Sequence, residues 1–164
     1  MMVDIQTVSI GVASASVVAG VIYYAFQIRH QAKMRQTDLI MRVYSTLSTK
    51  ELEEAWYKVL NLEFKDYDDF AKKHGSIMSE TPENVAFSII AYFFDGIGVL
   101  LHKKLVDIDL IDDLMSESII VTWEKMKPIV EGYRKQYGFK KDLVWFENLY
   151  NEIKKREQEG ANDG

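Results

Sequence analysis

The sequence predicts an all-α protein, in which one N-terminal transmembrane helix continues into a small cytoplasmic helical bundle of about five to six helices. First, the 24 residues between Asp4 and Arg29 carry no formal charge. Second, 164 residues include only 2 prolines and 9 glycines, so long stretches have no helix breaker. Third, apolar residues recur at helical spacing after the uncharged stretch. We assign residues 1–29 to an anchor, 30–157 to a cytoplasmic domain and 158–164 to a flexible tail.

The uncharged stretch, IQTVSIGVASASVVAGVIYYAFQI, is long enough to cross a bilayer. A helix rises about 1.5 Å per residue, so about 20 apolar residues span a hydrocarbon core of about 30 Å. Its serines and Thr7 are tolerable in lipid if their hydroxyls bond to carbonyls of the same helix. A cleaved signal peptide is disfavoured because no basic residue precedes the stretch. The remaining alternative is a buried core helix.

Basic residues on one flank predict the orientation of the anchor. Only Asp4 and the amino terminus precede the span, whereas Arg29, Lys33, Arg35 and Arg42 follow it. Lysine and arginine accumulate on the cytoplasmic side of membrane proteins. We therefore expect a single-pass protein of the cell membrane, with its N-terminus outside and the remaining chain in the cytoplasm. The same residues would also attract anionic lipid headgroups.

Small residues form two stripes along the anchor. In lipid, helices associate through close backbone approach, which small side chains permit. We predict that these stripes mediate association with a second copy or with another membrane protein, although small residues are also common in spans that only anchor. The first stripe is Gly11, Ala15 and Ala19, and the second, on roughly the opposite side, is Ser9, Ala13, Ser16 and Gly20.

Capping signals divide the rest of the chain into helices. No glycine or proline occurs between Val21 and His74, so the first helix is expected to continue unbroken beyond the anchor. Ser48 and Glu51 have the spacing of a capping box, which predicts a new helix. Aspartate and threonine caps predict further starts at Asp66, Thr81-Pro82, Asp107 and Lys141-Asp142, with ends at Gly75 and near Gly138 and a bend at Pro128.

The helix that starts at Thr81 is the most apolar of the cytoplasmic part and is predicted to be the centre of the domain. Its polar residues fall in one narrow band on a helical wheel: Asn84, Ser88, Asp95 and His102. We expect Asp95 to pair with a cation, to cap a neighbouring helix or to lie on an exposed edge, since an unpaired buried charge is costly. Residues 85–101 are also a candidate second span, but Asp95 opposes insertion.

The composition excludes several functions. The net charge of −5 argues against sequence-independent nucleic-acid binding, which needs a basic surface. Without cysteine, the chain has no disulfide, thiolate metal site or cysteine nucleophile. No phosphate-binding loop, dinucleotide fingerprint or nucleophile motif is present. We therefore predict no enzyme activity, no cofactor and no small-molecule substrate.

Two acidic clusters and three histidines are weak candidates for metal ligands. The clusters lack the spacing and the glycine of a calcium loop, so helix capping is the favoured interpretation. The histidines show no paired spacing typical of a zinc site. The clusters are Glu63, Asp66, Asp68 and Asp69, and Asp107, Asp109, Asp112 and Asp113; the histidines are His30, His74 and His102.

Four phrases carry a resemblance to a known family: QIRHQAKMRQTDLIMRVYSTLSTKELEEAW, EFKDYDDF, YFFDGIGVLLHKKLVDIDLIDDLM and WFENLYNEIKKRE. Together they cover most of the chain. The sequence resembles an uncharacterised, chiefly archaeal family of small membrane-anchored helical proteins that carry a domain of unknown function. The resemblance implies the architecture of the chain and assigns no catalytic residue.

Two functions from different classes remain open. The first is an interaction or regulatory protein, which acts as a homo-oligomer or as an accessory subunit of a larger membrane complex. The second is an oligomeric pore or transport-related protein, in which several spans line a channel with the hydroxyls of Thr7, Ser9, Ser14 and Ser16. A pore needs a closed ring of subunits, whereas an adaptor functions as a monomer or dimer.

Overall fold

The computed structural model describes residues 4–162, apart from the side chains of Thr7, Ala161 and Asn162. All regular secondary structure in the described residues is helical, as the sequence predicts. The six helices are α1 (Ile5–Leu47), α2 (Lys50–Leu60), α3 (Tyr67–His74), α4 (Pro82–His102), α5 (Ile108–Tyr137) and α6 (Val144–Asn162). The chain divides into two units, residues 1–38 and 39–164.

The first unit consists of the larger part of α1. This helix runs for 43 residues without interruption, which confirms the prediction from the absence of breakers. Every described side chain from Asp4 to Arg35 is exposed, so the alternative of a buried core helix is wrong for this part of the chain. The helix is long and apolar enough to span a membrane.

The second unit packs around α4, as predicted. Helices α2 and α6 contact α4, and α5 in turn contacts α2, α3 and α6. The largest fully buried side chains include Phe94 of α4, Trp123 of α5 and Phe146 of α6. The Phe94 and Phe146 rings stack with centroids 5.0 Å apart, and Trp123 meets Phe146 edge-on at 4.9 Å. This aromatic cluster joins the three long helices of the unit.

Local signals predicted most helix starts correctly. The carboxylate of Asp66 accepts from the Asp69 amide at 2.9 Å, and Asp107 accepts from the Asp109 amide at 3.1 Å. Thr81 caps α4, and Pro82 occupies the first turn. Helix α5 ends at Gly138, whose φ of 76° is the left-handed conformation that glycine adopts readily.

One prediction about a helix start is wrong. The capping box at Ser48 and Glu51 does not form, because Thr49 occupies the cap position and no side chain bonds to the amides of α2. The Thr49 hydroxyl instead donates to the Thr46 carbonyl at 2.8 Å, where it satisfies an acceptor at the end of α1. Helix α6 continues to Asn162, into the segment predicted to be a flexible tail. Residues 163 and 164 lie outside the described part.

Candidate functional site on helix α4

Two residues of the polar band of α4, Asn84 and Asp95, bond to other parts of the second unit, whereas His102 at the end of the band is exposed. Asn84 is only 1% exposed, and its amide nitrogen donates to three loop carbonyls. These are the carbonyls of Ser76 at 2.7 Å, Ser79 at 3.1 Å and His74 at 3.3 Å. Asn84 thereby organises the loop between α3 and α4, a role that the wheel did not predict.

Asp95 caps a neighbouring helix, which was one of the three alternatives left open by the sequence. Its Oδ1 atom accepts from the amides of Trp145 at 3.0 Å and Phe146 at 2.9 Å, both in the first turn of α6. The residue before α6, Leu143, has no polar side chain to cap the helix and adopts a φ of 53°. Asp95 therefore supplies from α4 the acceptor that α6 lacks locally.

Asp95→Ala is expected to lower the free energy of unfolding by about 1–3 kcal/mol, because two amides lose a charged acceptor. Asp95→Asn retains an acceptor oxygen and should cost less. Urea unfolding followed by tryptophan fluorescence measures both values, since all three tryptophans lie in the second unit. Equal stability of the alanine variant and the original chain would show that the carboxylate contributes nothing to the fold.

Arg134 of α5 also bonds to the first turn of α6 and to the residues just before it. Its guanidinium donates twice to the Asp142 carbonyl, at 2.6 and 2.9 Å, and once to the Glu147 carboxylate at 2.6 Å. No local sequence pattern predicts the contacts of Arg134, because its partners Asp142 and Glu147 lie beyond the turn that follows α5. Asp95 and Arg134 together fix the start of α6.

The side of α4 next to the polar band is apolar and open to solvent. Val85 is 49% exposed, Ile89 40% and Tyr92 67%. A Cβ added at Gly96 would meet no atom within 4 Å, so the backbone is accessible there. We call these four residues the outward face of α4. The buried residues of α4 are also mainly apolar, so the helix packs apolar side chains on its inner side and exposes apolar side chains on the outward face.

Helix α4 is the second helix that is long and apolar enough to cross a membrane. Core helices of soluble proteins pass the same test, and 39% of its most apolar window is buried in the second unit. The packing of α4 against α2 and α6 therefore favours the core-helix interpretation over a second span.

The acidic clusters have structural partners. Asp69 accepts from the amide of Lys65 and from the ammonium of Lys73 at 3.0 and 2.9 Å, which holds the pKa of this carboxyl below its usual range. Asp109 and Asp112 both bond to Arg156. Among residues 4–162, no three histidine, aspartate or glutamate side chains are placed to hold a metal ion.

The histidines lie apart in the fold. His102 stacks on Trp145 with ring centroids 3.9 Å apart, and His74 packs against Phe70 at 5.2 Å. His74 Nε2 is buried without a hydrogen-bond partner in the described residues, while His30 is exposed on α1. The structure brings none of the three together.

The small-residue stripes and the basic flank lie on exposed surfaces of α1. The hydroxyls of Ser9, Ser14 and Ser16 each donate to the carbonyl four residues earlier, at 2.8 to 2.9 Å. This confirms the expectation that the serines bond within their own helix. The side chain of Thr7 lies outside the described part. Of the basic flank, Arg29, Lys33, Arg35 and Arg42 are all exposed.

These observations define a class: an all-helical protein that joins a long apolar N-terminal helix to a small helical unit without a recognisable catalytic centre in the described residues. Residues 14–153 match the model of the family described as a domain of unknown function, DUF4760, so the chain belongs to that family. Comparison with curated proteins finds no match, and comparison with solved structures finds none either.

Proposed function

We propose that the chain is a membrane-anchored interaction protein that acts as a homodimer, with the outward face of α4 as its contact surface. The observation that carries this proposal is the exposed, apolar outward face of α4. Contiguous apolar surface on a soluble protein marks an interaction site, since it is costly to leave in water. In this proposal the first unit crosses the cell membrane, with the N-terminus outside and the second unit in the cytoplasm.

The composition of the outward face favours a second copy of the chain as the partner. A two-fold interface joins the same patch on both subunits, so the patch has to be complementary to itself. Val85, Ile89, Tyr92 and Gly96 carry no charge, and their pairing brings no like charges together. An antiparallel pair of α4 helices that cross near Tyr92 would place Ile89 of one copy over the open backbone at Gly96 of the other.

The charges at the two ends of α4 also suit an antiparallel pair. Glu80 lines the same surface as Val85 and Ile89, just before the start of the helix. Lys103 is exposed directly after its end. The two-fold operation would bring Glu80 of each copy near Lys103 of the other, whereas a parallel pair would place like charges together. Such exposed pairs contribute about 0–1 kcal/mol each and mainly fix the orientation.

Ile89→Asp is expected to convert the dimer into a monomer, because two carboxylates would be buried against apolar surface. The measurement is the protein mass, by light scattering, of the full chain in maltoside detergent. Val121→Asp is the matched control: Val121 is 37% exposed on α5, outside the outward face. A monomeric original chain, or a dimer that survives Ile89→Asp, would contradict the proposal; a mass that exceeds a dimer would favour a ring of subunits.

The topology follows from the basic flank and has its own test. The chain contains no cysteine, so a single cysteine can be placed in the tail at Asp163 or before the span at Val3. In intact cells, an impermeant maleimide is expected to label the N-terminal cysteine and not the C-terminal one. Labelling of the tail alone would reverse the proposed orientation.

A further inference from the structure

A pocket of about 130 Å³ lies between α4, α5 and the two connecting segments that precede α4 and α6. Its walls are largely apolar, with Ala91 on α4, Ile129 and Val130 on α5, and Leu143 before α6. Tyr92 and Tyr133 also line it, and the carboxylate-bearing residue Asp142 is the only acidic residue among its lining. The pocket adjoins the outward face of α4, and Tyr92 belongs to both.

The size of the pocket limits its occupant. An engineered apolar cavity of about 150 Å³ in another protein holds one benzene molecule, so about 130 Å³ suits a group of roughly five to seven heavy atoms. This is small compared with the pockets of about 300 Å³ or more that hold larger cofactors. The occupant is therefore a small molecule or the end of a larger one.

Asp142 places a negative charge beside these walls, and Arg134 on α5 is the neighbouring cation. Arg134 bonds to the backbone carbonyl of Asp142, and no residue in the described part of the chain donates a hydrogen bond to the Asp142 carboxylate. Burial raises the pKa of this carboxyl, and Asp95 on α4 adds to the rise while Arg134 on α5 opposes it. The pocket thus contains, beside its apolar walls, a carboxylate that accepts no hydrogen bond from the described residues.

The electrostatics of the pocket also depend on its two tyrosines, Tyr92 and Tyr133. Burial raises the pKa of Tyr133, and the neighbouring Asp142 and Tyr92 raise it further, so the three groups lie within electrostatic range of one another. Aromatic faces attract cations through the ring quadrupole, and the attraction strengthens where water is excluded. A carboxylate flanked by two tyrosines and aliphatic walls therefore favours a cation that also carries apolar groups.

We propose that this pocket binds a small quaternary ammonium group, with its charge beside Asp142 and its methyl groups against Tyr92, Tyr133 and the aliphatic walls. A primary ammonium carries three N–H donors that each need an acceptor, for which the lining supplies Asp142 and the hydroxyls of Ser88, Tyr92 and Tyr133; the aliphatic walls favour the quaternary group. A quaternary ammonium needs no acceptor and exposes only methyl groups. This proposal does not depend on the dimer.

Isothermal titration of the full chain in maltoside tests the proposal with choline and with 3,3-dimethylbutan-1-ol, its uncharged isostere. Choline is expected to bind at least about tenfold more tightly, since only the charge distinguishes the two molecules. Asp142→Asn keeps the shape of the side chain and should lose that preference. Equal binding of both probes, no binding of choline or full affinity of Asp142→Asn would overturn the proposal, as would tighter binding of n-butylammonium.

Two further measurements separate a loss of binding from a loss of folding, and a lipid headgroup from a free cation. Asp142→Asn should unfold at the same or a higher temperature than the original chain at pH 7, because it removes a carboxylate whose raised pKa disfavours the charged form. Lost binding with unchanged stability then reflects the missing charge and not a damaged fold. A soluble short-chain phosphatidylcholine distinguishes the two sources of this chemistry: displacement of choline assigns a lipid headgroup, and failure to displace it assigns a free cation. The protein mass is unaffected in every arm, so failure here leaves the dimer proposal to its own test.

Discussion

Gly98→Ala is expected to destabilise the second unit by about 2–3 kcal/mol, although alanine favours helix by about 1 kcal/mol over glycine. A Cβ at this position would overlap the backbone carbonyl of Trp145 in the first turn of α6. A backbone carbonyl cannot rotate away as a side chain can, so α4 and α6 would have to separate. The separation would strain the two hydrogen bonds from Trp145 and Phe146 to Asp95.

Gly96→Ala is the matched control for this prediction. The two glycines belong to the same helix, but a Cβ at Gly96 would meet nothing within 4 Å. In the Ile89→Asp background, where no second copy covers Gly96, the helix propensity of alanine acts alone and is expected to raise stability by up to about 1 kcal/mol. Urea unfolding followed by tryptophan fluorescence gives both values. Changes of the same sign in the two variants would refute the close approach of α4 and α6 at Gly98.

Asn84→Asp is expected to destabilise the second unit by about 3 kcal/mol or more at pH 7. The substitution changes one amide nitrogen to oxygen, yet that nitrogen donates to the carbonyls of His74, Ser76 and Ser79. A carboxylate at this buried position would face three acceptors without a donor. Asn84→Ala removes the donor without adding a charge and should cost less, about 2 kcal/mol.

The pH dependence of stability distinguishes the cost of the charge from the cost of the lost amide at position 84. Burial should raise the pKa of the new carboxyl, so the loss of stability in Asn84→Asp should shrink as the pH falls and the group takes up a proton. Asn148→Asp makes the same chemical change at an exposed position of α6 and is expected to stay within about 0.5 kcal/mol. A similar cost for both variants would show that the loop does not depend on the Asn84 amide.

Local sequence patterns predicted the elements that depend on neighbouring residues. Caps at Asp66, Thr81 and Asp107 bond within three residues of themselves, and the apolar run of α4 correctly marked the centre of the second unit. The exception is instructive, because Ser48 and Glu51 have the spacing of a capping box but the Thr49 hydroxyl bonds backwards to α1. Because α2 begins three residues after the end of α1, the Thr49 hydroxyl can bond either to a carbonyl of α1 or to an amide of α2.

The candidate surfaces depend on contacts that the sequence does not encode locally. A helical wheel showed that Asn84, Ser88 and Asp95 share one side of α4, and polar residues on one side normally indicate exposure. The partners of Asn84 and Asp95 lie in a loop and in α6, and apolar side chains such as Ile89 are exposed beside them. The same holds for Asp142 and Tyr133, which the pocket brings together from two elements. Only the three-dimensional packing of α4, α5 and α6 reveals these surfaces.

The central claim is that two copies pair through the outward face of α4, and a single cysteine at position 92 tests it most directly. Tyr92 lies near the proposed two-fold axis, where the same residue of both copies meets, and the chain has no other cysteine to interfere. Oxidation of Tyr92→Cys in native membranes is expected to give a disulfide-linked dimer of the chain. Glu159→Cys, at an exposed position of α6, should remain monomeric under the same oxidation. A cysteine at position 92 that stays unlinked, or that links only as well as the one at 159, would contradict the pairing of the α4 faces.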